Sequence, residues 1–180
     1  MLRSFKITIL YLFLMGFVTV SGQKDSTGID QYSSDLPNYF PLHRDNFKRL
    51  SSNYGYRIHP IDGEIKKHRG IDLVAKKGSG VYASASGKVV ERKYEAGYGN
   101  YLVVRHNGEI RTLYGHLLRA VVKEGDCIVK GQVIGYVGDS GRVTGPHLHY
   151  EIWVDEERIN PFIFWNNTIF KKNEVSSTSK

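Results

Sequence analysis

Cysteine is almost missing from this chain. Cys127 is the single one among 180 residues, so no intramolecular disulfide can form, and a Cys-rich zinc finger or a small disulfide-stapled scaffold is excluded. The thiol lies between Asp126 and Ile128, a strand-like setting in which it reads as a small buried hydrophobe. A Gly-x-Ser-x-Gly elbow is also missing, which with the single cysteine argues against covalent nucleophilic catalysis. Between Leu50 and Phe164 no window of a dozen residues carries a 3.6-residue apolar stripe, so a helical core is not expected. Aromatic and basic residues are not interleaved as on an RNA-binding sheet, and no helix-turn-helix pattern occurs, so no nucleic-acid partner is expected.

What is present is an ordinary globular composition, 41% hydrophobic and 24% charged. A domain of this length buries roughly 70% of the surface its unfolded chain exposes, enough for a core without oligomerisation, and a monomer is expected. The first 22 residues differ in kind. Arg3 and Lys6 precede an apolar run, Ile7 to Val20, shorter than the roughly 18 to 20 residues of a membrane span. Val20-Ser21-Gly22 offers small residues for cleavage before Gln23, so residues 1–22 are expected to be a secretory signal peptide. The protein is then exported, periplasmic or extracellular at the cell wall, with a membrane attachment only through this segment if it stays uncleaved. No cysteine follows the run to carry a lipid anchor. Without Arg3 and Lys6 the formal charge falls from +7 to +5, a moderate surplus that favours an anionic partner without specifying one.

Residues 23–47 are polar with scattered aromatics and read as an N-terminal arm. From Leu50 to Phe164 the chain turns to short apolar runs cut by glycine, the texture of many short strands and tight turns. Gly87 to Arg92 starts a strand. Tyr101 to Arg105 and Glu109 to Tyr114 form a hairpin around Asn107-Gly108, because Asn-Gly supplies the positive φ angles of a two-residue turn. Lys130 to Gly138 and His147 to Val154 supply further strands. The fold class is therefore mainly β, an antiparallel sheet or sandwich. Residues 165–180 form a polar C-terminal tail.

Six of the seven histidines lie in this β region, and two compact groups carry the chemistry. In Gly145-Pro146-His147-Leu148-His149-Tyr150-Glu151, residues two apart on a strand share a face, so His147 and His149 address one point while Leu148 packs behind them. In His68-Arg69-Gly70-Ile71-Asp72 an imidazole and a carboxylate flank a glycine. Two imidazoles and one carboxylate are the ligand set of an open catalytic zinc site, whose fourth position is left to water or substrate. The set has one ligand more than that, which leaves an imidazole for proton transfer, and His116 supplies a second. Spacing alone does not say which of His147 and His149 is the ligand. His59, before a proline, and His106, beside the hairpin turn, read as structural or peripheral.

These motifs, taken in order, resemble the lysostaphin/LytM-type zinc metallopeptidases that cleave peptide bonds in bacterial peptidoglycan. The likeness runs over residues 48–163, and it implies a metallopeptidase domain over residues 48–164. It opens at Ser52-Asn53-Tyr54-Gly55-Tyr56-Arg57-Ile58-His59-Pro60 and passes through His68-Arg69-Gly70-Ile71-Asp72, Gly97-Tyr98-Gly99-Asn100, Tyr114-Gly115-His116-Leu117 and Gly131 to Gly135. It closes on Thr144 to Glu151 and Asn160-Pro161. The resemblance implies one Zn2+ per chain bound by His68, Asp72 and His149, with His116 and His147 as catalytic histidines beside the reacting water. It implies a groove built on a LytM-like antiparallel sheet with a duplicated hybrid motif, and a peptidoglycan peptide as substrate. Arg57 and Tyr114, inside the matched motifs, are expected to contact that substrate. Gly80 and Gly115 depart from the family's usual proline and alanine.

The reading that follows is a secreted zinc metalloendopeptidase acting on cross-links or stem peptides. Its alternative is a non-catalytic wall-binding module or an activator of another wall hydrolase. The arm would hold the enzyme latent if Asn38 or Asn46 masked the metal.

Overall fold

The structure, a computed structural model, describes residues 36–58 and 63–165. The expected signal segment, the beginning of the arm, His59 and the tail from residue 166 lie outside the described residues. Short apolar runs separated by glycine become strands: β1 (Phe47–Ser52), β2 (Gly55–Ile58), β3 (Ile65–His68), β4 (Ile71–Ala75), β5 (Gly80–Tyr82) and β6 (Gly87–Glu95). They continue as β7 (Gly99–Arg105), β8 (Ile110–Ala120), β9 (Cys127–Ile128), β10 (Val133–Val137), β11 (His147–Val154) and β12 (Glu157–Ile159). Ten of these strands form one antiparallel sheet, with the path β1-β4-β11-β8-β7-β6-β9, β10 joining β8 to β5, and β12 flanking β11. The remaining two, β2 and β3, make a separate hairpin. The mainly antiparallel β fold is the one expected. One helical turn, α1 (Phe162–Trp165), closes the described chain. Among the described residues no helix is long and apolar enough to cross a membrane.

The period-two alternation of a strand decides what each face carries. Leu148, Tyr150 and Ile152 of β11 are fully buried in the main core with Ile71 and Leu73 of β4 and with Tyr114 and Leu117 of β8. The intervening His147, His149 and Glu151 therefore face the opposite side of the sheet. A smaller apolar cluster, Tyr101, Val103 and Leu113, sits elsewhere in the sheet with Tyr98 and Trp153 against it.

The structure differs from the sequence reading in four places. The β7–β8 connection is not a two-residue turn: His106 donates its backbone N–H to the Ile110 carbonyl, and Arg105 pairs with Arg111. Of Asn107 and Gly108, Gly108 alone has positive φ. The two-residue hairpin lies instead at Asp155-Glu156, with φ of 48° and 66°, between the paired Val154 and Glu157. Cys127 is exposed rather than buried, because the two-residue β9 is an edge strand. The fourth difference is the arm, whose described part packs into the body. Leu42 is buried and bridges to Val81, Tyr82 donates to the Pro41 carbonyl, and Phe40 joins the core.

The arm is tied to the far end of the chain through Trp165. Its indole is fully buried, stacks on Tyr150 at 5.1 Å, meets Phe40 edge-on at 5.2 Å, and donates Nε1–H to the Pro37 carbonyl at 3.1 Å. Trp165→Ala is expected to cost about 3–5 kcal/mol, read from the midpoint of chemical unfolding. The opposite face of the sheet, which carries His147, His149 and Glu151, should keep its geometry in the folded variant.

Candidate metal centre

Backbone register brings the centre together. Asp72 of β4 and His149 of β11 are direct antiparallel partners, and His149 pairs on its other edge with Gly115 of β8. An alanine at Gly115 would fit, since an added Cβ would stand at an ordinary 3.4 Å from the His149 Cβ. His68 ends β3 and enters through the tight link to β4. Gly70 in that link abuts the Tyr150 carbonyl and the Glu151 side chain, where no Cβ has room. That contact is the physical reason for the glycine between the imidazole and the carboxylate.

His116 arrives by a different device. On a regular β8 it would share the core-facing side with Tyr114, yet Leu117 occupies the core. Opposite this stretch, Asn100 pairs with Leu117 and Leu102 with Tyr114, so β8 carries one residue more than β7. The extra residue is a β-bulge, and His116 has φ of 58°, an uncommon value for a residue with a side chain. The bulge turns the His116 ring to the polar face, 4.7 Å from the His147 ring and 5.7 Å from that of His149.

Three donor atoms converge. His68 Nε2, His149 Nδ1 and Asp72 Oδ1 are mutually 3.1, 2.9 and 3.2 Å apart, and these residues are the one such group among those described. Four-coordinate zinc with bonds near 2.0–2.1 Å requires ligand–ligand distances of about 3.3 Å, so the donors fit that ion with only slight expansion. His147 Nε2 stands further out, 3.7 Å from Asp72 Oδ1.

The opposite nitrogen of each ring settles which nitrogen faces inward. A carbonyl can only accept, so His68 Nδ1 carries its proton toward the Asn53 carbonyl at 2.8 Å. By the same rule His147 Nδ1–H donates to the Gly145 carbonyl at 2.8 Å and His116 Nδ1–H to the Ser140 carbonyl at 2.9 Å. His149 Nε2–H donates to Glu151 Oε1 at 3.0 Å. In each ring the other nitrogen is the one left to face the groove: His68 Nε2 and His149 Nδ1 in the donor triangle, and His116 Nε2 and His147 Nε2 beside it.

Glu151 is the polar anchor beneath His149. It is fully buried and also accepts from Tyr98 Oη at 2.8 Å, Trp153 Nε1 at 2.6 Å and Arg158 Nε at 3.4 Å. Burial works to raise its pKa, but these donors, His149 first, lower it, so Glu151 stays ionised. For Asp72 burial likewise opposes the charge, and the hydrogen bonds from His149 and His68 override it and hold the carboxyl far below the usual range. His149 loses from burial and gains more from Asp72 and Glu151, which raise it to about 9 in the metal-free protein. His116 is lowered to about 3, by burial first and then by the charges of His149 and His147, so it is neutral at pH 7.

The expected site residues divide as follows. His68, Asp72, His116, His147 and His149 come together at the floor of a groove of about 740 Å3, and Arg57 joins them with Nη2 3.6 Å from Asp72 Oδ2. Tyr114 does not contact a substrate: it is fully buried, and its hydroxyl accepts the Ser84 backbone N–H at 2.9 Å. His106 is structural, held between the Ser86 carbonyl and Thr112 Oγ1 at 2.8 Å each. Neither Asn38 nor Asn46 lines the groove. Sequence reasoning missed the role of Glu151, which its two-residue offset from His149 would have placed on the same face. It also missed the carbonyls of Asn53 and Ser140, which carry no side-chain signal.

Residues 66–161 match peptidase family M23. Over 140 residues the chain is 43% identical to the peptidoglycan DD-endopeptidase ShyC of Vibrio cholerae, covering 76% of this chain and 32% of ShyC. The chain spans about a third or less of the length of the curated relatives it matches. Among solved structures it superposes on a zinc-containing peptidase from Vibrio cholerae with a TM-score of 0.63 and 35% identity, over 68% of this chain and 38% of that one. The catalytic domain of lysostaphin from Staphylococcus simulans gives a TM-score of 0.61 and 35% identity, over 67% of this chain and 92% of the domain.

Three outcomes are expected. Metal must displace the His149 Nδ1 proton, so zinc uptake by the stripped protein at pH 7–8 should release about one proton, seen by calorimetry in buffers of different ionisation enthalpy. Apparent affinity should rise with pH and level off near pH 9, where His149 has already lost that proton. Glu151→Gln, which keeps an acceptor but removes the charge, should weaken zinc affinity about 10–100-fold in a chelator competition.

Proposed function

Because this chain belongs to peptidase family M23, we propose that it is an exported zinc metalloendopeptidase that hydrolyses peptide bonds in bacterial peptidoglycan. One observation carries the reading: three converging donors with two further imidazoles, His116 and His147, beside them in one groove, the equipment that metal-assisted hydrolysis needs. The fold's likeness to a zinc-containing peptidase and to lysostaphin supports zinc as the ion. The relative named a peptidoglycan DD-endopeptidase supports the substrate, and with it a place of action outside the cytoplasm.

His68, Asp72 and His149 would hold the ion. Zinc there supplies Lewis acidity toward a peptide carbonyl and makes water acidic enough to attack at neutral pH. The chain's own residues manage the protons. His147 Nε2, the ring nitrogen not committed to the Gly145 carbonyl, stands 3.7 Å from Asp72 Oδ1, at the edge of the donor triangle. His116 Nε2 carries a lone pair, because burial first and then the charges of His149 and His147 lower the ring's pKa and keep it unprotonated, so it begins as a base with His147 beside it. The proton taken from the attacking water at one of them is delivered to the amine nitrogen as the C–N bond breaks and the new C–O bond remains. The Gly145 and Ser140 carbonyls fix both rings against rotation, so the proton travels through Nε2 in each. Glu151, below His149, fixes that ring in the same way.

The roles separate on mutation. Asp72→Ala and His149→Ala should lose bound zinc and all hydrolysis, whereas His116→Ala should keep zinc and lose roughly 100-fold or more in rate. Metal content by atomic emission and fragments released from cross-linked sacculi by mass spectrometry read the two effects. Equal zinc loss in both classes would contradict the assignment, as would zinc-loaded protein that releases no peptide-cleaved fragment.

A further inference from the structure

The loop over residues 139–146, between β10 and β11, is closed at its neck, because Gly138 and His147 at its two ends bridge each other. Residues 142–146 line the groove, and Ser140, near the start of the loop, is not part of that lining. The Ser140 hydroxyl instead ties β7 to β8, accepting the Asn100 backbone N–H at 2.9 Å and donating to the Leu117 carbonyl at 2.8 Å. Asn100 Nδ2 donates to the same carbonyl at 3.1 Å. Ser140 is also pressed against Gly99, where an added Cβ would collide with the Ser140 carbonyl oxygen and Oγ. These contacts surround one place in the sheet. Asn100 and Leu117 are the register pair at which the β8 bulge begins, and beside Leu117 stands His116 with φ of 58°. A residue with a side chain keeps that backbone only where its surroundings impose it. Here the His116 backbone N–H is taken by the Tyr98 carbonyl at 2.7 Å and its Nδ1–H by the Ser140 carbonyl at 2.9 Å. Ser140 thus holds the bulge twice, by its hydroxyl at the neighbouring backbone and by its carbonyl at the ring.

Resting on the hydrolytic reading above, we propose that Ser140 is the positioning residue of the base His116. Its hydroxyl locks the start of the loop to β7 and β8, so that its carbonyl aims the imidazole and His116 Nε2 faces the reacting water. It lies outside the groove lining and acts only through His116. A base must stand within hydrogen-bond reach of the proton it takes, and a misplacement on the order of 1 Å costs about 100-fold in rate. A hydroxyl supplies both a donor and an acceptor from one atom, and Ser140 spends them on different strands. An alanine there keeps the carbonyl and loses what fixes it relative to the bulge.

The test uses the zinc-loaded chain and a soluble cross-linked stem-peptide dimer. Ser140→Ala should lower kcat about tenfold with KM and zinc content unchanged, and Ser140→Thr, which restores a hydroxyl, should recover most of the loss. In a His116→Ala background the same change should lower the rate no further, because a residue that acts through His116 then has nothing to position. Lys77→Gln, which removes the exposed ion pair to Asp139 beside Ser140, should leave kcat unchanged. The His116 Nδ1–H proton gives a reading free of turnover: by NMR its exchange with water should quicken about tenfold in Ser140→Ala. If Ser140→Ala does not fold, Asn100→Ala, which takes the second donor from the Leu117 carbonyl, reads the same fall in kcat at unchanged KM. Unchanged kcat and unchanged exchange in Ser140→Ala would overturn the proposal, as would a loss that adds in full to that of His116→Ala. If the unaltered chain cuts no dimer but the His116 proton still exchanges faster in Ser140→Ala, the hydrolytic reading fails and the positioning stands.

Discussion

The centre depends on one cross-strand pair. Asp72 and His149 are direct partners on β4 and β11, so sheet hydrogen bonding, not a flexible loop, fixes a carboxylate 2.9 Å from an imidazole nitrogen. A slip of one residue in that register would send every side chain of β11 to the other face and place Leu148 where the metal belongs. The apolar residues that alternate with the site residues prevent the slip. Leu148, Tyr150 and Ile152 have no exposure at all, so the packing that stabilises the domain also sets the geometry of its chemistry.

Burying Asp72 and Glu151 beside each other's histidine is unfavourable unless each charge is answered. Glu151 is answered by donors from Tyr98, His149, Trp153 and Arg158, drawn from β11, from β12 and from the chain entering β7. Asp72 is answered by His149 and His68, with Arg57 beyond. The result is a rigid polar layer in which each imidazole has its protonated nitrogen committed to a fixed acceptor. Such preorganisation aims the inward nitrogens: His149 Nδ1 lies in the donor triangle and His147 Nε2 outside it, 3.7 Å from Asp72 Oδ1, which supports the proposed division into ligand and base that spacing alone left open. The strained backbone at His116 belongs to the same layer, since without the bulge in β8 its ring would point into the core.

Much of this was legible from residues alone. The strand His147–Val154 is where alternation placed it, because period two is a direct consequence of strand geometry. The five residues of the centre were legible because imidazole and carboxylate spacing reports on metal chemistry. What was not legible depends on contacts distant in sequence. Tyr114 sits inside a matched motif, but its neighbours in space, Ser84 and Tyr150, bury it. Cys127 has the flanks of a core strand, and only the sheet order reveals that β9 is an edge. The arm reads as polar and irregular, yet Phe40 and Leu42 find partners in Trp165 and Val81, far along the chain. Backbone acceptors such as the Asn53 and Ser140 carbonyls leave no trace in the sequence.

In the proposed centre His68 Nε2, Asp72 Oδ1 and His149 Nδ1 hold one zinc ion while His116 and His147 remain outside its coordination. A crystal structure of the zinc-loaded protein, with anomalous difference maps across the zinc edge, tests it most directly. One peak per chain is expected, with bonds of about 2.0–2.1 Å to those three atoms and an exchangeable fourth position. A peak bonded to His147 or His116 in place of His68 or His149, or no peak in the groove, would contradict it.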